Sequence, residues 1–125
     1  MKYLCLVYVE EKNLEALPSA EFAALDAESL AYDDEIRKSG QLLAAHALQP
    51  VQAATTLRVR RGKLSTTDGP FAETKEQLGG FVLIEAKDLN DAIRIASGLP
   101  SARLGSIEVR PVRDLQQHEP WAGRK

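Results

Sequence analysis

Lys2-Tyr3-Leu4-Cys5-Leu6-Val7-Tyr8-Val9 is apolar on both sides of an extended chain. Side chains alternate across a strand, so Tyr3, Cys5, Val7 and Val9 take one face and Leu4, Leu6 and Tyr8 the other. A strand with two apolar faces belongs in the middle of a sheet that is covered on both sides. Glu10 and Glu11 end the run before any small-residue cleavage site, which reads as a first strand rather than a secretory leader.

The next segment supplies one of the two covers. Phe22, Leu25, Tyr32 and Ile36 recur at helical spacing after Pro18-Ser19, with Arg37 and Lys38 in the last turn before Gly40, which predicts a helix over 19–39. Residues 41–48 read as a strand stopped by Pro50, with Leu42, Ala44, His46 and Leu48 on one face and Leu43, Ala45 and Ala47 on the other. The alternation at 55–60 and 63–67 predicts a hairpin about Arg61-Gly62 that stands partly in solvent. Residues 81–86 form another apolar strand. Asp88 then caps a helix with Asp91 at its third position and a stripe of Leu89, Ala92, Ile93 and Ala96, ended by Gly98 and Pro100. A last strand over 106–112 alternates Ile107 and Val109 with Ser106, Glu108 and Arg110.

The order strand, helix, strand, hairpin, strand, helix, strand is an α+β, ferredoxin-like split βαβ pattern with a ribbon inserted at its middle. Helices cover one face of such a sheet, so the second apolar face of residues 2–9 requires a partner. A homodimer packed sheet to sheet is the expected assembly. The domain is expected over 1–113, with 114–125, including His118 and Trp121, as a C-terminal tail without clear period.

The bulk numbers agree with one folded domain: 125 residues, 44% apolar and 27% charged. A net charge of −2 with dispersed bases provides no field for nucleic acid or a membrane surface. The single cysteine excludes an internal disulfide and a cysteine zinc site, and fits a reducing cytoplasm. Two distant histidines and scattered acids give no metal spacing, and neither a phosphate loop nor a Gly-x-Ser-x-Gly elbow occurs. No cofactor or metal is implied.

Polar chemistry concentrates in residues 66–80, TTDGPFAETKEQLGG. The run DGPFAETKEQLGGF at 68–81, with AAHALQP at 44–50, LIEA at 83–86 and GSIEVRPV at 105–112, resembles the DGPF proteins of the YCII-related family, in the family order and over nearly the whole chain. The resemblance implies a dimeric α+β barrel. It also implies kinship with YCII relatives that resemble small dimeric-barrel enzymes and carry a proposed histidine and aspartate site, and, for some members, fusion to or proximity with extracytoplasmic-function sigma factors. Many members have an acid where this chain has His46, in a block reading GEALQP, so a histidine mechanism is not general to the family.

Asp68-Gly69-Pro70 reads first as a turn, and also as a means of fixing Asp68 as a general base or ligand-orienting carboxylate. Glu73, Lys75 and Glu76 read as a solvated loop, or as an anion site in which Lys75 attracts a small organic anion and the glutamates orient it. Gly79 and Gly80 let the backbone bend closely into the next strand. His46 is either a core imidazole or the partner of Asp68 in an acid/base dyad. Tyr32 is spaced for the core, with its hydroxyl available as a substrate-binding donor, and Cys5 is a small buried hydrophobe. These residues support two classes of function. One is a cofactor-independent small-molecule enzyme or enzyme-like binding barrel using His46, Asp68 and Lys75; the other is a non-catalytic regulatory or interaction protein, for which the family resemblance implies a setting in extracytoplasmic-function sigma-factor systems.

Overall fold

A computed structural model describes residues 1–121. The strands are β1 (Lys2–Val9), β2 (Leu42–Ala47), β3 (Thr55–Arg60), β4 (Lys63–Asp68), β5 (Gln77–Glu85) and β6 (Ser106–Pro111); the helices are α1 (Glu11–Glu15), α2 (Ser19–Lys38) and α3 (Leu89–Ser97). β1 has the interior place that its two apolar faces demand, between β5 and β6 in a sheet of order β2-β5-β1-β6. Every pairing in that sheet is antiparallel. β1 and β2 therefore run parallel with β5 between them, and β5 and β6 parallel with β1 between them, which is the ferredoxin-like split βαβ. β3 and β4 form a separate ribbon inserted between β2 and β5. Its turn has φ of 53° at Arg61 and 75° at Gly62, the left-handed pair that matches the twist of a two-residue hairpin.

The core lies on the helical side of the sheet. Tyr3, Cys5, Val82 and Ile84 meet Ile36 of α2, Ala92, Ile95 and Ala96 of α3, and Leu99. Each large apolar side chain withdrawn from water here contributes roughly 2 kcal/mol. α3 is held at its start by Asp88, whose carboxylate accepts the Asp91 N–H at 2.8 Å, while the Asp91 carboxylate accepts the Lys87 N–H at 3.0 Å. Its buried stripe is Ala92, Ile95 and Ala96, whereas Leu89 and Ile93 are about half exposed. The expected stripe was thus rotated by a fraction of a turn: 3.6-residue spacing admits both stripes, and contact with Ile84 and Tyr3 selects the one that contains Ile95.

Three other details depart from the sequence reading. Glu11–Glu15 forms a short helix that no periodicity announces in five residues. β2 contains an irregularity at Leu43, with Leu42 opposite Ile84 but Ala44 opposite Leu83. The extra residue breaks strict alternation, so Leu42 and Ala45 both pack on the core, and Leu42 does not share a face with Ala44 and His46. Finally, Ile36 is the only buried residue of α2, and Phe22 is 40% exposed because the N-terminal half of the helix stands away from the sheet.

Among the described residues no helix covers the opposite face of the sheet. Cross-strand pairing sets His46, Phe81, Leu6 and Glu108 in one row, and Ala44, Leu83, Leu4 and Arg110 in the next. Tyr8 continues this face beside Leu78 and Ser106. Among the described residues no helix is long and apolar enough to cross a membrane.

Candidate functional site

The Asp68–Phe71 turn is a roof. Gly69 donates its N–H to the Ala54 carbonyl at 2.7 Å, and its own carbonyl accepts the Thr56 hydroxyl at 2.9 Å, so the chain leaving β4 is tied to the start of β3. Gly69, at φ 102°, lies in left-handed space that a side chain would disfavour. The following residues, Pro70, Phe71 and Ala72, close one side of a cavity of about 560 Å³ whose other walls are Leu48–Ala54 and, from the open sheet face, Tyr8 and Leu78.

Two side chains hold these walls in register. The Glu11 carboxylate accepts the Val51 N–H at 3.1 Å, and the Glu11 N–H is accepted by Gln77 Oε1 at 2.9 Å. Gln77 Nε2 donates in turn to the Thr74 carbonyl at 2.6 Å. The end of β1, the turn after β2 and the loop before β5 are thereby fixed to one another. The cavity presents apolar surface from Leu48, Val51, Phe71 and Leu78, with Tyr8, Gln49, Thr56, Thr74 and Gln77 as its polar groups and no charged side chain in its lining. The Tyr8 hydroxyl makes a long contact, 3.4 Å, with Glu108 Oε1.

The residues singled out from the sequence are distributed around this cavity rather than gathered in it. Asp68, exposed at the end of β4, lies opposite Thr55. Lys75 and Glu73 are exposed on the loop that carries Thr74, and Glu76 accepts the Ser106 hydroxyl at 2.7 Å. His46 is on the other sheet, exposed, its ring 5.6 Å from that of Phe81 and tilted by 55°. No hydrogen bond joins His46 to Asp68 among the described residues. Tyr32 lies in the helical layer and donates to the Ile95 carbonyl at 2.6 Å. Burial, followed by the charge of Glu35, raises its phenol above the usual value. Burial likewise pushes the Cys5 thiol up to about 11.

A second hollow separates α2 from the sheet, in two overlapping parts of about 380 and 510 Å³ floored by Val7, Ala47 and Gly79 and edged by Asp26 and Ser29. His46 and Asp33 border the smaller part. Desolvation raises the Asp33 carboxyl above the ordinary range. Gly80, beside this floor, must be bare for β2 to approach β5: a Cβ there would stand 2.8 Å from the His46 carbonyl oxygen. Among the described residues no group of three or more His, Cys, Asp or Glu side chains is placed to hold a metal.

Sequence reasoning missed Tyr8, Glu11 and Gln77. Tyr8 was absorbed into an apolar face, and the tie between Glu11 and Gln77 spans 66 residues, a distance no local pattern reports.

A split βαβ subunit with one bare sheet face has the architecture from which α+β barrels are built. The YCII-related domain matches residues 1–116, and the chain belongs to that family. An uncharacterized protein of Rhizobium meliloti (strain 1021) is 39% identical over 114 residues, which cover 90% of this chain and 92% of the relative. Among solved structures, the fold is shared with 5-chloro-2-hydroxyhydroquinone dehydrochlorinase from Burkholderia phenoliruptrix AC1100, in complex with 2,5-dihydroxybenzoquinone. That match has a TM-score of 0.54 at 16% identity and covers 93% of this chain and 98% of the other.

Proposed function

We propose that the chain is one subunit of a homodimeric, enzyme-like barrel that binds a small oxygenated organic ring in the cavity beneath Pro70 and Phe71. The observation that carries this reading is the cavity itself. Its volume of about 560 Å³ suits a small ligand, and its walls pair apolar surface with a few placed hydroxyl and amide groups. Such a lining favours a flat, largely uncharged body with hydroxyl or carbonyl oxygens to meet Tyr8, Thr56, Thr74 and Gln77. An anionic substituent is directed to the rim, where Lys75 stands on the loop after the roof. The dihydroxybenzoquinone bound by the dehydrochlorinase is likewise a flat oxygenated ring, whose acidic hydroxyls, ionised at neutral pH, would turn toward the rim and Lys75; this supports the ring class without assigning the same reaction.

The cavity opens onto the bare sheet face through Tyr8 and Leu78, so a second subunit on that face completes its wall. Leu4, Leu6, Phe81 and Leu83 give that face the apolar surface an obligate interface needs. Calorimetric titration of a panel of hydroxylated benzoquinones and benzoates, with Thr56→Val as control, tests the reading. Saturable binding that weakens in the variant is the expected result. No binding by any ring compound, from a protein that is dimeric and folded, would sink it.

A further inference from the structure

Besides the sheet face, two further apolar surfaces are exposed among the described residues, and they carry opposite charge. On one face of the β3–β4 ribbon Leu57, Val59 and Leu64 are 64%, 57% and 65% exposed, with Val59 and Leu64 directly opposite each other. The other face and the turn carry Arg58, Arg60, Arg61 and Lys63, against one acid, Asp68, in the whole ribbon. The counterpart is the helical layer. Residues 10–35 hold nine acids and a single base, Lys12. Leu30 of α2 is 66% exposed, above the hollow left where the helix stands off the sheet. Asp26 and Asp33, on either side of Leu30 along that helix, form no ion pair among the described residues.

A lone two-stranded ribbon is marginally stable in water, and exposed apolar patches of this kind mark interaction sites. Each ribbon strand has six residues, a reach of about 20 Å. The base of the ribbon lies on the bare side of the sheet, because Ala54 and Thr56 share a cavity with Tyr8 and Leu78. Facing sheets pack about 10 Å apart, so an arm of this length is long enough to pass the edge of a second subunit's sheet toward its helices.

We infer that the ribbon is a dimer arm: β3–β4 of each copy lies along α2 of the other, with Leu57, Val59 and Leu64 against Leu30 and the hollow beside it. Arg58, Arg60 and Lys63 lie on the ribbon face turned away from α2 and Arg61 at its turn, so the two charge excesses act as an attraction that guides the arm rather than as direct ion pairs. Two-fold symmetry makes the contact reciprocal, so both charge excesses are matched twice. The inference rests on the dimer proposed above and adds to it the element that clasps it.

The test uses the full chain, since the ribbon pairs only with itself and its substitution leaves the main sheet intact. Sedimentation equilibrium on Leu57→Ser/Val59→Ser, and separately on Arg58→Glu/Arg61→Glu, is expected to raise the dimer dissociation constant roughly tenfold or more. Adding Asp26→Arg/Asp33→Arg to the second variant should recover most of the loss. Tryptic cleavage at Arg58, Arg60, Arg61 and Lys63 should slow in the wild type as concentration rises through the dissociation constant. If the wild type is a dimer but both ribbon variants match it in dissociation constant and cleavage, the arm is overturned and the sheet-face dimer stands. If the ribbon variants weaken the dimer and the charge swap fails to rescue, the placement on α2 is overturned. A monomeric wild type overturns dimer and arm together.

Discussion

The Tyr32 hydroxyl occupies the space that a side chain on Gly98 would need. Gly98 ends α3 with φ of −82°, an ordinary right-handed value, so its lack of a side chain serves space rather than backbone freedom. The hydroxyl enters that space to donate to the Ile95 carbonyl, and so fastens α2 to the end of α3. Gly98→Ala is therefore expected to cost about 2 kcal/mol, because the tyrosine must leave or the helix end must shift. Tyr32→Phe, which keeps the ring, should cost about 1 kcal/mol for the hydrogen bond. Urea melts of both variants and the double variant check this. In the double variant the hydrogen-bond losses should not add, since the alanine already displaces the hydroxyl.

Residues near one another in sequence announced the fold. The two-sided pattern of Lys2–Val9 placed β1 inside the sheet, and the Asp88/Asp91 pair marked the start of α3 within a residue. What escaped depended on contacts across the chain. The irregularity at Leu43 has no sequence mark among leucines and alanines, and it alone decides which residues of β2 meet the core. The site was legible as a loop but not as a cavity. Asp68-Gly69-Pro70 reads as turn chemistry and nothing in the sequence singles out Phe71, whereas the place of Pro70 and Phe71 as a roof comes from Gly69 bonding to Ala54 and Thr56. His46 and Asp68 share a chemistry in the sequence, yet the sheet order assigns them to different sheets.

Cys5 is fully buried beside Ile84 and Tyr3, and burial pushes its thiol up to about 11. A folded value above the unfolded one means that this group's contribution to stability is fully present below the unfolded value of ~8.5 and is lost as pH rises through about 11. At pH 8 an aromatic disulfide reagent should therefore leave the native protein unlabelled for as long as it stays folded. Its reaction rate should follow the unfolding rate, rising steeply with urea. Prompt native labelling would contradict the burial.

At the other end of the pH scale, Asp91 is held below the usual carboxylate range, first by the Lys87 N–H and then by Arg94. The sign is that of a depressed acid: its contribution is present above the unfolded value and disappears as pH falls through the folded one. Asp91→Asn should lower the melting temperature at pH 7, where the contribution of the charged form is present, and converge on wild type as pH falls through the folded value, which flattens the acid limb. Asp88→Ala should cost about 1 kcal/mol at neutral pH, because it removes the acceptor for the Asp91 N–H. Melting temperature against pH for the two variants separates charge from capping.

A charge on the bare sheet face tests the proposed dimer without touching the core. Leu6 pairs with Phe81 and Glu108 there, on the side away from Ile84 and Ile95. Leu6→Lys should leave the helical signal in circular dichroism intact and give a monomer at micromolar concentration. A dimer unchanged by that lysine would mean that the face is covered by something other than a second copy.

The roof of the cavity yields the sharpest separation of binding from folding. Phe71 is 80% exposed, so its ring contributes little to the stability of the empty subunit. A ligand seated against Pro70 and Leu78 would bury one side of that ring, and truncating it forfeits the contact only when ligand is present. Phe71→Ala should thus weaken binding of a quinone probe such as 2,5-dihydroxybenzoquinone by roughly tenfold, with a melting temperature within experimental error of wild type. Tyr8→Phe reads the polar side of the same cavity. It keeps the ring but removes the hydroxyl that touches Glu108, and loss of one hydrogen bond to a ligand oxygen should weaken binding roughly fivefold. Calorimetry on one preparation, alongside thermal melts, supplies both numbers. Were Phe71→Ala to melt lower and bind as tightly as wild type, the loop would be a structural clamp, and the ligand would have to lie elsewhere, with the hollow under α2 the next place to look.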